Sequence, residues 1–308
     1  GGSMGGHQAL AWATRHPERV RKTVALATSP RLTTQALAFD VIGRNAILRD
    51  PNFRGGQYYG GPAPGVGLAL ARMLGHITYL SPQAMKEKFE ADRLTPRDVP
   101  TEFEKRFSVG SYLAYQGDKF VERFDANSYV TLSLAMDLFD LGATPAELAE
   151  TLRRATCEWL VVSFSSDWLF PPEQSREIVS ALLDLGKPVS YCNVQSSCGH
   201  DAFLLADELD AYGALISAFL GRNGAQGEAP PNDDVYAGDA ASIFHSRRLD
   251  YDRIVDLIPP EASVLDLGCG QGGLLARLKA RGNGRLVGVE LDQDAVIAAA
   301  RRGLDVVQ

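Results

Sequence analysis

The stretch Gly1-Gly2-Ser3-Met4-Gly5 decides how this chain folds. It has the G-x-S-x-G form, in which a parallel strand ends, the backbone turns sharply and a helix begins, leaving the serine hydroxyl exposed above the sheet. Outward from it, residues 6–15 pattern as the following helix and 23–28 (TVALAT) as a buried parallel strand. Such a turn depends on a preceding strand to hold the serine and on an earlier loop for one of two oxyanion N–H groups. Both would lie upstream of Gly1, so the chain is expected to be N-terminally truncated, part of a longer protein, and inactive alone.

The 308 residues are 45% hydrophobic and 22% charged, enough for about two domains. No run approaches the roughly 18 apolar residues of a membrane span, and no secretory leader is visible, so no membrane association and a cytoplasmic location are expected. A net charge of −7 argues against a nucleic-acid partner, because phosphate neutralisation needs clustered Lys and Arg. Cys157, Cys192, Cys198 and Cys269 have neither disulfide-framework nor zinc-site spacing, and no metal is expected.

The composition changes at 221–240 (GRNGAQGEAPPNDDVYAGDA), a Gly/Pro/Asp-rich linker with little to bury. It divides a first domain, 1–220, from a partial second one, 241–308. In the first, residues 68–153 read as helical, with candidate caps at Ser81-Pro82 and Thr144-Pro145. Strand texture returns at 158–164 and 188–194. An all-helical block between strands acts as a lid over the serine. Asp167 follows one of these strands and His200 the next, giving the chain order Ser3, Asp167, His200 of an α/β fold with a helical lid. A serine hydroxyl is a poor nucleophile until a histidine takes its proton, and the histidine needs a carboxylate to fix its tautomer. Taken singly, the Asp reads as a loop residue and the His as a core or surface one; their order and strand-end placement join them.

Further motifs are more specific. Gly1 to Gln8 (GGSMGGHQ), 68–81 (LALARMLGHITYLS), 112–120 (YLAYQGDKF), 123–129 (RFDANSY), 163–172 (SFSSDWLFPP) and 199–204 (GHDAFL) closely resemble the homoserine O-acetyltransferase (MetX) family of the α/β hydrolase fold. The resemblance implies acyl transfer from acetyl-CoA to the hydroxyl of L-homoserine in methionine biosynthesis, through an acyl-Ser3 intermediate. It also implies a substrate-binding arginine at Arg72, a substrate-binding acid at Asp201, and a homodimer formed through the lid. Charge matches Arg72 to the substrate carboxylate and Asp201 to its ammonium. The blander readings are a helix-surface charge and a helix cap. Met4 N–H, heading the helix after the turn, is the candidate oxyanion donor in this chain. Succinyl-using relatives resemble this sequence but carry Arg where Leu169 stands, so an acetyl donor is expected. A homoserine O-succinyltransferase and a water-using esterase are the alternatives within the fold.

Behind the linker, a helix at 251–258, a strand at 262–267, a helix at 273–280, a strand at 285–290 and a helix at 293–302 make a βαβ unit. Residues 264–272 (VLDLGCGQG) with Glu290 resemble motif I of S-adenosylmethionine-dependent methyltransferases, and the run as a whole resembles MetW, a partial Rossmann-like domain. Asp266, Gly268, Gly270 and Glu290 are the implied cofactor-binding positions. Glycines admit close approach of the backbone, and an acid at a strand end accepts ribose hydroxyls. A second reading of the whole chain is therefore an inactive fragment whose C-terminal segment is an S-adenosylmethionine-binding regulatory module.

Overall fold

Six strands, all parallel, form one sheet in the computed structural model, which describes residues 1–90, 107–221 and 249–308. The strands are β1 (Lys22–Leu26), β2 (Glu158–Phe164), β3 (Val189–Val194), β4 (Val264–Leu267), β5 (Leu286–Val289) and β6 (Asp305–Val307), in the spatial order β1-β2-β3-β6-β5-β4. Strands covered on both faces need apolar residues throughout, and β2 (EWLVVSF) is buried from Trp159 to Phe164. Its register with β1 pairs Val24 with Leu160, and with β3 pairs Leu160 with Ser190.

On one face, α1 (Met4–Arg15), α7 (Pro145–Arg153) and α8 (Pro172–Asp184) bury Leu10, Leu148, Leu152, Ile178 and Leu182 against Trp159 and Tyr191. On the other, α9 (Ala206–Gly221) and α12 (Gln293–Arg301) meet over Leu160, Val162 and Val194. The second half is completed by α10 (Leu249–Leu257) and α11 (Gly273–Arg281).

The sequence reading gives two domains across a linker, and the structure pairs their sheets edge to edge through β3 and β6. Both β3 and β6 would otherwise expose unpaired backbone groups at a sheet edge. Gln308 N–H donates to Tyr191 C=O at 3.1 Å, and its side-chain oxygen accepts from Asn193 N–H at 2.7 Å. One apolar cluster then runs from Phe164 and Phe219 to Val296, Leu304 and Val306. The short β6 is an element the sequence reading misses, and apart from Gly221 the linker lies outside the described residues.

The lid comprises α2 (Thr34–Leu48), α3 (Gly65–Tyr79), α4 (Pro82–Phe89), α5 (Ser108–Val121) and α6 (Ala126–Asp137), whereas α7, expected in the lid, packs on the sheet with α1 and α8. Helix therefore starts at Thr34 rather than 68. The apolar residues of α2 lie all round the helix, with Val41, Ile42 and Leu48 exposed, so it lacks a one-sided period. Thr33 caps it by accepting from Ala36 N–H, and the expected caps at Ser81 and Thr144 are present, the latter as a full capping box with Glu147. Among the described residues no helix is long and apolar enough to cross a membrane.

Candidate active site

Gly1 and Ser3 lie beside β1, with Ser3 N–H donating to Leu26 C=O and Leu26 N–H to Gly1 C=O, both at 3.0 Å. The chain then reverses into α1 through Ser3, whose φ of 54° is a strained value for a residue with a side chain. That strain aims the hydroxyl away from the sheet. Met4 opens α1, so its N–H belongs to the first turn, where amides have no intrahelical acceptor.

His200 sits in a 3-10 turn, Gly199–Leu204, just after β3. Its Nε2 is 2.9 Å from Ser3 Oγ, and its Nδ1 is 2.8 Å from Asp167 Oδ2. A carboxylate accepts only, so Nδ1 carries the hydrogen and Nε2 is left to accept from the serine. Asp167 Oδ1 accepts from the N–H groups of Leu169 and Phe170 at 3.0 and 2.9 Å, which fixes the carboxylate. His200 and Asp167 are both buried, and the rings of Phe170 and Phe203 flank the imidazole.

The α3–α4 junction ties the lid to this line of residues. Ser81 Oγ donates to Ser197 C=O, Trp168 Nε1 donates to Leu80 C=O at 2.9 Å, and Gly199 has φ of 80°. A Cβ on Gly199 would stand 2.4 Å from Ser81 N, so the histidine turn and the α3–α4 junction fit only with glycine there.

Ser3 also lines a cavity of about 110 Å³ with Asp40, Tyr79, Tyr129, Leu169 and Phe170. Arg72 and Asp201 stand to one side, near one another without an ion pair among the described residues. The Arg72 guanidinium lies over the rings of Tyr79 and Phe120, and its Nε is buried without a partner. Burial pushes the Asp201 carboxyl up, an effect opposed by the nearby His200 and Arg72. The sequence reading misses Asp40 and Asp137, acids on helices with no signature spacing, and gives no role to Tyr79 and Tyr129, which lie within the family-like stretches 68–81 and 123–129.

In the second half, Gly268, Gly270 and Gly272 all adopt positive φ after β4. A Cβ on Gly268 or Gly270 would meet nothing within 4 Å, so the turn opens onto free space, whereas on Gly272 it would strike Leu304. Glu290 Oε2 accepts from Gly270 N–H at 2.7 Å, and Oε1 accepts from Leu291 and Asp292 N–H. These bonds hold its carboxyl below the usual range. Asp266, on β4, is pushed up by burial. All four cysteines are free, and among the described residues no group of three His, Cys, Asp or Glu side chains is placed to hold a metal.

A strained serine at a strand-to-helix turn, a histidine and an acid on successive strand ends, and a helical lid define an α/β hydrolase. Residues 1–207 match the alpha/beta hydrolase fold family, and the chain belongs to it. Residues 248–308 match Methionine biosynthesis protein MetW, so a MetX-like hydrolase segment is joined to a MetW segment. The whole chain is 53% identical to the Bifunctional methionine biosynthesis protein MetXA/MetW of Rhodopirellula baltica, covering 49% of that protein. Over 73% of the chain it is 48% identical to Homoserine O-succinyltransferase of Bordetella pertussis, covering 57% of it. The chain thus spans about half the length of the curated relatives it matches. Homoserine O-acetyltransferase from Bacillus anthracis superposes on 73% of the chain, 60% of its own length, with a TM-score of 0.62 and 24% identity, a likeness of fold.

Proposed function

We propose that the protein carrying this chain is a homoserine O-acyltransferase of methionine biosynthesis, using acetyl-CoA as donor. The observation that carries the reading is the Asp167–His200–Ser3 line with Asp201 next to His200 in the same turn, beneath a lid whose α3 carries Arg72 near them. His200 Nε2 takes the Ser3 proton as Oγ attacks the thioester carbonyl. Met4 N–H supports the oxyanion, a contact whose loss costs on the order of 3 kcal/mol of barrier. CoA leaves with the proton from His200, which next takes the proton of the homoserine hydroxyl as that oxygen attacks acyl-Ser3 and returns it to Oγ as the Ser3 Oγ–acyl bond breaks. Arg72 holds the substrate carboxylate and Asp201 its ammonium. Each is half-buried, and its natural partner is the opposite charge of a zwitterion. Leu169 lines the cavity and offers an acyl carboxylate no cation, which favours acetyl over succinyl.

The test is a purified-protein assay with L-homoserine and either acyl-CoA, with intact-mass detection of the acyl-enzyme. Acetyl transfer above succinyl transfer supports the reading. Hydrolysis without transfer overturns it in favour of an esterase.

The second half supports S-adenosylmethionine binding. Asp266, the open Gly268–Gly270 turn and Glu290 would hold the cofactor, Glu290 as the acceptor for its ribose hydroxyls; when bound, the cofactor would supply a methyl group or act as a signal of pathway output. Exposed Val41, Ile42 and Leu48 on α2 and Val66 and Leu70 on α3 are consistent with a homodimer formed through the lid.

A further inference from the structure

The cavity beside Ser3 has one ionisable carboxyl in its wall, Asp40 on α2, among mostly apolar and aromatic residues. Behind it, on α6, lies Asp137. Oδ2 of Asp137 pairs with Arg44, one turn beyond Asp40 on α2, in a contact almost closed to solvent. Arg44 also donates to Ser133 Oγ at 3.3 Å, so its charge is committed. Oδ1 of Asp137 is buried with no donor among the ordinary groups around it. Asp40 neighbours the Asp137 carboxylate closely enough for the two to interact, and a carboxyl donates to a carboxylate only when it keeps its own proton. The orphan acceptor and the carboxyl beside it thus explain one another.

We propose that Asp40 is a specificity-determining residue of the acyl pocket: backed by the Asp137–Arg44 pair, it excludes acyl groups ending in a carboxylate and restricts the donor to short neutral acyl chains. This rests on the acyltransferase reading above and names the residue that makes the donor choice in it. With Asp40 protonated, the Asp40–Asp137–Arg44 group is neutral. With Asp40 ionised it carries one negative charge facing Ser3. A terminal carboxylate finds no cation in the cavity wall in the first state and a like charge in the second.

The groups facing Asp40 come from three elements: Arg44 on its own helix, Asp137 and Tyr129 on α6, and Tyr79 on α3 with Arg72 beyond it. From the loop before α8 come Leu169 and Phe170, which are uncharged. Burial, then Asp137, push the Asp40 carboxyl up to about 7. Burial also raises both tyrosines, so they stay neutral through this range. Discrimination against an anionic acyl group therefore strengthens as pH rises through 7.

The experiment measures the ratio of kcat/KM for acetyl-CoA over succinyl-CoA from pH 6 to 8.5, in the protein and in Asp40→Asn. The asparagine amide keeps a donor for Asp137 and removes the charge. Steps shared by the two donors, including His200 protonation, cancel in the ratio. In the unsubstituted protein the ratio should rise about tenfold across pH 7, and in D40N it should be flat and about tenfold lower at pH 8. A D40N ratio equal to the parent's, with acetyl-CoA still preferred, overturns the proposal and leaves the donor reading standing. A parent that prefers succinyl-CoA at every pH overturns both. Independently of turnover, a ¹³C-labelled Asp carboxyl should titrate near 7 and vanish in D40N; if all carboxyls titrate below 5, the proposal falls.

Discussion

At the level of single residues, Ser3, Asp167 and His200 are legible because a serine nucleophile needs a histidine and a carboxylate, and this fold presents the three in that chain order, the acid and the histidine after successive strands. Their distances, 2.9 and 2.8 Å, follow from a sheet that the sequence pattern also reveals. Ser3→Ala is expected to lower acyl transfer by about 10⁴-fold or more while leaving the melting temperature near its parent value, checked by initial rates and calorimetry. Asp40 is illegible by contrast. One acid on an exposed-looking helix has a solvated reading, and its partner Asp137 lies almost a hundred residues further on. Its environment has a measurable consequence for stability. The folded chain holds a proton on Asp40 between about pH 4 and 7, which an unfolded chain releases near 3.8. That contribution is full at the acid end and is lost as pH rises through 7. Buried His7 acts oppositely: it is pushed down to about 4 from 6.5, so its contribution is full above 6.5 and falls away toward pH 4. D40N should therefore gain on its parent, by on the order of 2 kcal/mol after allowance for solvent screening, as pH rises from 4 to 7.5. Urea midpoints across that range would show it, and parallel curves would refute it.

The elements that read most clearly are the buried strands, whose apolar runs have no other use, and the capped helices α4 and α7, where Ser81 and Thr144 precede a proline. Helix α2 does not read, since its apolar positions face both the core and the exterior. The junction of α3 with α4 gives the sharpest consequence at this scale. Gly199, at φ 80° and with no room for a Cβ beside the backbone of Ser81, lets the lid and the His200 turn touch. Gly199→Ala should cost about 2–4 kcal/mol, because a Cβ at 2.4 Å forces one of two backbones to move. Activity should fall further than stability alone explains, as His200 leaves Ser3. Ser81→Ala is milder: it removes a helix cap and the bond to Ser197, and about 1–2 kcal/mol is expected. Thermal unfolding of both variants, beside the rate of Ser3 acylation, separates these outcomes. An alanine at 199 that melts and acylates like its parent would show that the contact is not needed.

For the whole molecule, the sequence announces two segments and a linker but cannot announce that their sheets meet. Edge pairing between β3 and β6 depends on no local pattern, and β6 is only Asp305–Val307. What makes the join strong is its core. Val296, Leu304 and Val306 are almost fully buried in the same cluster as Leu160, Val194 and Phe219, and each such side chain contributes about 1.5–3 kcal/mol when removed from water. The join also reaches the chemistry. Gln293, three residues past Glu290, accepts at 3.2 Å from the N–H of Gln195, in the loop that leads to His200. A protease site placed within 221–248 should therefore cut the covalent tie without separating the halves. The two pieces are expected to co-elute in size exclusion at micromolar concentration and to melt in one transition. Val306→Asp should undo both, since it sets an unpaired charge in that cluster, and should lower the melting temperature of the hydrolase half as well. Pieces that elute apart before any substitution would mean that the halves fold as independent bodies, leaving Gln293 no route to the histidine loop.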